Sequence, residues 1–503
     1  MSVNAAAALV TAAPRTPPLG RLSGSVLPLL RRRPRVLFVA PEMADFVQVG
    51  GLGAVASSLP RAMKAHADIR VLLPGYRGVL ARASALDIVA QLPGAGAIPP
   101  CSIGRAALAD AMHVYIVLCA ELYDRDGELY VGPDGRDWPD NDLRFARLSL
   151  AAAQIATGEC ADWRPEALHL NDWQSALAAG YSFWSGQRTP AVLTIHNLAH
   201  QGLFDASRRA ALAIPEAAFG IDGVEFHGKI SFLKGGINFA SRVTTVSEVY
   251  AGEVTTQALG CGLDGLMAKC ARDGRLAGIL NGIDESWDPR NDPRCPFNYD
   301  ANRWKGRYAD YVRGAFGLSL ARAPLFAVVS RFVQQKGVDL VLRAAETIVR
   351  LGGQLVAVGR GEPQFEKAFR NLSARARDAV GVRIGFEAEE ARAIFAGADF
   401  LLMPSRFEPC GLSQMYAQRF GAIPLAARTG GLVETIEDGK TGFLFDPGDE
   451  AQFIAAIKTA FEIYASPKRL SDLRRSAMAK RFDWTESARL YAALYRDVIE
   501  ASV

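Results

Sequence analysis

The sequence contains no C-x-x-C pair. Its seven cysteines, at 101, 119, 160, 261, 270, 295 and 410, are odd in number and scattered. That pattern argues against a disulfide frame or a zinc ribbon and implies free thiols in a reducing, cytoplasmic setting. No run approaches the ~18 uninterrupted apolar residues of a spanning helix. The Ala-rich stretch 5–13 is too short and carries a Thr, so no membrane partner is expected. Acid is missing from residues 1–35, which hold six Arg; without those six the formal charge of +4 falls to −2. A near-neutral body has no basic signature for nucleic acid. Also missing are H-E-x-x-H, G-x-S-x-G and G-x-x-x-x-G-K-[ST]. Their absence speaks against zinc proteolysis, a hydrolase nucleophile elbow and P-loop nucleotide hydrolysis.

What is present is material for two large cores: 503 residues, half of them apolar. Residues 1–34, rich in Ala, Pro and Arg without periodicity, predict a disordered extension. Acid-poor composition also gives them a transit-peptide flavour, and a plastid location stays open on that ground. From Arg35 apolar runs arrive at intervals: RVLFVAP, IRVLLP (69–74), HVYIVLC (113–119), ALHLN (167–171), AVLTIHN (191–197), RVTTVS (242–247) and LAGILNG (276–282). Continuous apolar runs suit parallel strands covered on both faces. The Pro/Asp/Asn-rich stretch 284–300 reads as a linker. A second series follows: PLFAVVSR (324–331), GGQLVAVG (352–359), GVRIGF (381–386), DFLLMPS (399–405), AIPLAA (422–427) and TGFLF (441–445). An amphipathic helix over 485–499 closes the chain. The expected class is α/β, with two doubly wound, Rossmann-like domains facing an interdomain cleft. Their expected bounds are 35–280 and 281–484, with 485–503 crossing back to the first.

The most informative stretch is 398–437. A short strand leads into a polar turn with Arg406 and Glu408, then a helix from about Leu412 to Gly421. A second strand ends in Thr429-Gly430-Gly431 before another helix. The carboxylate could accept sugar hydroxyls and the glycines could bring amides to a diphosphate. An ordinary α/β protein with a polar turn would show the same spacing. Gln48-Val49-Gly50-Gly51-Leu52 echoes Arg428-Thr429-Gly430-Gly431-Leu432 at a second loop–helix junction. Arg331 and Lys336 follow one strand and could neutralise a leaving diphosphate, or could be solvated loop charges. Asp172 and His196 occupy strand ends, with His169 and His200 nearby. Asp124-x-Asp126 and Asp140-x-Asp142 match a metal-binding spacing but read as turn residues.

These residues resemble those of bacterial glycogen synthases and plant starch synthases, retaining glucosyltransferases of the GT-B fold. The likeness lies in PSRFEPCGLSQMYAQRFGAIPLAARTGGLVET (404–435), FVAPEM…GGLG (38–53), HLNDW (169–173), TIHNLAHQG (194–202), EFHGKISFLKGGINFA (225–240), LNGID (280–284) and PLFAVVSRFVQQKG (324–337). It implies transfer of glucose from ADP-glucose to the non-reducing end of an α-1,4-glucan such as glycogen, with no cofactor and no metal. Residue by residue, it implies that Arg331 and Lys336 grip the diphosphate and Glu408 the donor glucose, beside Cys410, Gly411 and Leu412. Thr429, Gly430 and Gly431 would offer phosphate amides, and Gly50 and Gly51 would do so from the first domain. His196 would line the donor sugar, Asp172 the acceptor side, and Asn281 the hinge near the donor. Tyr416 stands where many related transferases have a second Glu, as is common in glycogen synthases. Two positions depart: the family's Lys in its Lys-Thr/Val-Gly-Gly-Leu loop is Gln48, and its following Asp is Ala54. A weakened or silent glucan-binding relative, or a UDP-glucose enzyme, therefore stays open.

Overall fold

The computed structural model describes residues 33–83, 86–160, 163–297, 304–385 and 387–502. The expected tail, 1–34, falls almost wholly outside them. The chain divides into two compact units: one runs to Leu280 and regains Trp484–Val503, and the other is Asn281–Asp483.

In the first unit the strands are β1 (Arg35–Val39), β2 (Asp68–Pro74), β3 (Asp87–Leu92), β4 (Cys101–Ala107), β5 (His113–Leu118), β6 (Ala167–Asn171) and β7 (Ala191–Ile195). After β7 come β8 (Leu203–Asp205), β9 (Glu225–Phe226), β10 (Lys229–Ser231), β11 (Arg242–Thr245) and β12 (Leu276–Gly278). The nine-stranded sheet has the order β12-β11-β7-β6-β1-β2-β5-β4-β3. From β12 to β5 every pairing is parallel, whereas β4 and β3 join antiparallel with an irregularity between Ile88 and Ala90. β8, β10 and β9 form a separate small sheet. The apolar runs of the sequence are the parallel strands. β3 and β4 were not expected, because an edge strand such as β3 is largely exposed and has no continuous apolar run.

The second unit is simpler. Its strands are β13 (Leu325–Val329), β14 (Gln354–Gly359), β15 (Val380–Ile384), β16 (Phe400–Met403), β17 (Ile423–Ala427) and β18 (Phe443–Phe445). They form one parallel sheet in the order β15-β14-β13-β16-β17-β18. In chain order that is 3-2-1-4-5-6, the dinucleotide-fold arrangement, and the order reverses between β13 and β16. The parallel part of the first sheet repeats the scheme, with its reversal between β1 and β6.

The stretch expected as a linker is not one over its described part, 284–297. Asp284, Asp288 and Asp292 each accept the N–H two residues on, from Ser286, Arg290 and Arg294. Turn-forming composition has built a compact clamp against the second unit, stacked through Trp287 on Tyr416.

The closing helix, Thr485–Glu500, belongs to the first unit. Fully buried His169 on β6 fixes it: Nδ1 lies 2.6 Å from the Tyr495 hydroxyl and Nε2 lies 2.7 Å from Thr194 Oγ1. Burial pushes the imidazole down to about 3, so it is neutral at working pH. Tyr495→Phe strands one ring nitrogen at a cost of ~1–3 kcal/mol. Its thermal midpoint is expected to drop by several degrees in calorimetry, without change in secondary structure by circular dichroism.

Candidate active site

In open parallel sheets ligands bind beyond the strand ends where the order reverses. In the first unit, that reversal falls between the loops after β1 and β6. Glu42, three residues past β1, is buried; its carboxylate accepts from the N–H of Val49 at 2.5 Å and of Gly50 at 3.2 Å. Tyr130 reaches the other oxygen at 3.4 Å. Burial holds the Glu42 carboxyl above the usual range, against the pull of those donors. The Gly50 amide, expected to serve phosphate, is therefore already bound to an acid of its own unit. Gly51 is exposed as the first residue of helix Gly51–Met63.

Gln48 stands in the same loop. Its side-chain amide donates back to the Gly50 carbonyl at 2.9 Å, bracing its own loop. The second N–H of that amide and its oxygen remain to meet a ligand.

Asp172 follows β6 with φ +54, a left-handed conformation rare for a residue with a side chain. One carboxylate oxygen accepts the N–H of His196 at 2.7 Å and of Asn197 at 3.4 Å, tying the β6 and β7 loops together. Burial raises the carboxyl to about 7, with Glu42 as a lesser like-charge cause. Burial also takes His196 down to about 3. The His196 tautomer can be deduced. Asn171 donates its amide to the Val39 carbonyl at 3.0 Å, so its oxygen faces His196 Nε2, also at 3.0 Å. Nε2 must carry the proton, leaving the Nδ1 lone pair as acceptor.

In the second unit the reversal lies between the loops after β13 and β16. Lys336 ends the turn Gln334–Lys336, and Gly337 (φ +65) follows; a Cβ there would sit 1.9 Å from the Pro404 carbonyl oxygen. Only glycine permits the two loops to close up. Lys336 Nζ then meets both oxygens of Glu408, at 2.7 and 2.5 Å, while Ser405 Oγ donates to Glu408 at 3.0 Å. Glu408 is only 4% exposed. Arg406, bidentate on Asp339 at 2.8 and 2.9 Å, staples the same loop. Arg331 is exposed, with its guanidinium 3.3 Å from Gln335 Oε1. The two cations thus differ: one is locked to an acid, the other loosely held.

The glycine pair after β17 serves packing. At Gly430 (φ +45) a Cβ would stand 1.9 Å from the Glu408 carbonyl oxygen, and at Gly431 2.4 Å from that of Cys410. The N–H of Gly431 donates to the Glu408 and Pro409 carbonyls at 3.2 and 3.3 Å, and that of Thr429 to Ala427 at 3.0 Å. These two amides, expected to take phosphate, are engaged. Amides with no acceptor among the described residues include those of Gly411 (φ +72) and Leu412, one loop earlier. Cys410 is buried against Asn281, and burial pushes its thiol well up. Asn281 Oδ1 is buried without a partner.

Sequence reasoning missed Glu42 and Tyr130. Glu42 was findable, since it follows an apolar run as Asp172 does; Tyr130 sits in a loop that carries no periodic signal. The carboxylates of the two Asp-x-Asp stretches are engaged by cations: Asp124 and Asp126 with Arg77, Asp140 with Arg125, Asp142 with Arg208.

Two sheets of this order, each with its polar groups at the reversal, fit the GT-B fold of glycosyltransferases. The starch synthase catalytic domain family matches residues 35–269, and glycosyl transferases group 1 matches 318–476. Glycogen synthase 1 of Bradyrhizobium diazoefficiens is 52% identical over 90% of this chain and 99% of its own. Glycogen synthase of Pseudomonas syringae pv. syringae is 50% identical over 94% and 98%. The catalytic domain of starch synthase IV from Arabidopsis thaliana, solved bound to ADP and acarbose, is 29% identical. It superposes with a TM-score of 0.85 over 93% of this chain and 100% of that one. The chain belongs to the glycogen synthase and starch synthase family of glucosyltransferases.

Asp172 gives a signed pH test. Between about pH 4 and 7 the folded protein keeps a proton that the unfolded chain has lost, so this group's contribution to stability falls as pH rises through that window. Asp172→Asn should flatten the slope in denaturant titrations taken from pH 4 to 8.

Proposed function

We propose that the chain transfers glucose from ADP-glucose to the non-reducing 4-hydroxyl of an α-1,4-glucan, with retention. The observation that carries this reading is the pairing of half-buried Lys336 with buried Glu408 at the sheet reversal, with exposed Arg331 after the same strand as Lys336. Glycosyl transfer from a nucleotide sugar breaks the bond between C1 and a phosphate oxygen and leaves negative charge on the diphosphate. Fixed cations lower that barrier most when they need no reorganisation. Glu408 holds Lys336 in place in advance and presents its oxygens to sugar hydroxyls. Gly411 and Leu412 supply amides, and the bare oxygen of Asn281 accepts from the donor.

Tyr416, in place of a second carboxylate, supports same-face attack. The acceptor oxygen bonds C1 as the phosphate leaves, and the acceptor proton passes to the departing phosphate oxygen. On the first unit, His196 is assigned to the donor sugar and Asp172 to the acceptor. No helix among the described residues is long and apolar enough to cross a membrane; with the free thiols this supports a cytoplasmic enzyme.

A second reading, a slow or silent glucan binder, is favoured by Gln48, which carries no charge and braces its own loop. A missing charge-assisted contact is worth ~1.5–3 kcal/mol.

Glycogen-dependent release of ADP from ADP-glucose tests the main reading; no turnover above background with either ADP-glucose or UDP-glucose refutes it. Lys336→Ala and Arg331→Ala should each lower kcat about 10²–10³-fold in that assay. Gln48→Lys should raise kcat/KM for the donor about ten- to a hundredfold. An unchanged value would show that the amide already does the lysine's work.

A further inference from the structure

The geometry points to Trp287, Arg392 and Asp288 as positioning residues for the donor loop, acting through the short helix Ser413–Arg419. This inference deepens the function proposed above and rests on it for its kinetic part alone. None of the three was singled out in the sequence, where 284–300 read as a linker.

The helix begins directly after Glu408–Leu412, the loop that carries the buried acid and the unpartnered amides. At seven residues it is too short to hold itself straight. What holds it is Trp287. The indole lies parallel to the Tyr416 ring, with centroids 3.7 Å apart and an interplanar angle of 20°. The Arg392 guanidinium carbon lies 3.7 Å from the indole centroid. Two groups that close to one ring must take opposite faces, so the indole is sandwiched between Tyr416 and Arg392. Phe395 and Phe420 meet it edge-on at 6.2 and 6.3 Å.

Arg392, 1% exposed, is in turn fixed by Asp292, which is buried beside it, and by the Ala388 carbonyl at 3.2 Å. A charged side chain is costly to bury and is normally tolerated only when paired. Here the pairing sets a cation against an aromatic face at van der Waals contact. A second tether acts at the helix end, where Asp288 accepts from Arg419 at 2.6 Å and from Arg290 at 2.8 Å. The helix is thus pinned at its middle and at its last residue by one segment, and its free end is the donor loop. None of the three pinning residues lies in that loop. Their role is to fix where Glu408, Gly411 and Leu412 stand.

The test is hydrogen exchange by mass spectrometry on the full chain, paired with steady-state kinetics. Trp287→Leu keeps an apolar side chain but removes the ring. In it, the amides of Met415, Tyr416 and Phe420 should exchange about tenfold faster, the size of a lost ring pair with its cation. Strand Leu325–Val329 should keep its protection. KM for the nucleotide-sugar donor should rise about tenfold while KM for glycogen stays level. Trp287→Phe should restore both, because a smaller ring still stacks. If Trp287→Leu does not fold, Asp288→Asn releases Arg419 and should speed exchange at Gln418–Phe420.

Exchange that is unchanged at 415–420, or raised equally across the second unit, overturns the inference. So does a phenylalanine variant no better than leucine. A wild-type protein that transfers from no nucleotide sugar removes the proposed function, yet the exchange result still decides the positioning role.

Discussion

A parallel sheet cannot turn back on itself by a hairpin, so each strand must be reached by a crossover. Crossovers that go first one way along the sheet and then the other leave a single place where neighbouring loops diverge. Both units obey this constraint, at β1/β6 and at β13/β16. Each group discussed above owes its place to it. Glu42 and Asp172 stand on either side of one divergence; Lys336 and Glu408 stand on either side of the other. Sequence separation does not matter to this arrangement. Lys336 and Glu408 are 72 positions apart, yet the ammonium meets the carboxylate at 2.5 Å.

The two reversals are chemically unlike. The second pairs an acid with a cation and has an exposed arginine after the same strand. The first collects Glu42 and Asp172, both raised by burial, around a neutral histidine, with an exposed and neutral Gln48 bonded to its own loop. A site rich in uncompensated acid favours groups that donate hydrogen bonds, as sugar hydroxyls do. A site built on cations and free amides favours phosphate. The proposed division between acceptor and donor is in keeping with that difference in charge.

How much of this was legible in the sequence depends on burial. Strands covered on both faces have to be apolar throughout, and RVLFV, ALHLN, LFAVV and FLLM could be read directly. β3, exposed or half-buried up to its last residue, left no such trace. The glycines were readable as special but not for the right reason. Gly430 and Gly431 mark where one loop's backbone touches another's, and a carbonyl such as that of Glu408 leaves no mark on composition. The linker reading failed for a related cause: Asp, Asn and Pro signal turns, and turns can be packed. Lys336 and Glu408 were expected to serve a substrate, but that they hold one another is a fact about distance.

The attachment of Thr485–Glu500 to β6 through His169 has a consequence for how the protein is made. The ribosome releases the first unit's sheet early, but the hydroxyl that His169 needs belongs to Tyr495, which follows the whole second unit. At ~5–20 residues per second, the second unit takes roughly 10–40 s to emerge in between. Throughout that interval the nascent sheet carries an open polar seam on β6, where a holdase could bind. Completion of one half of the molecule must wait for translation of the other.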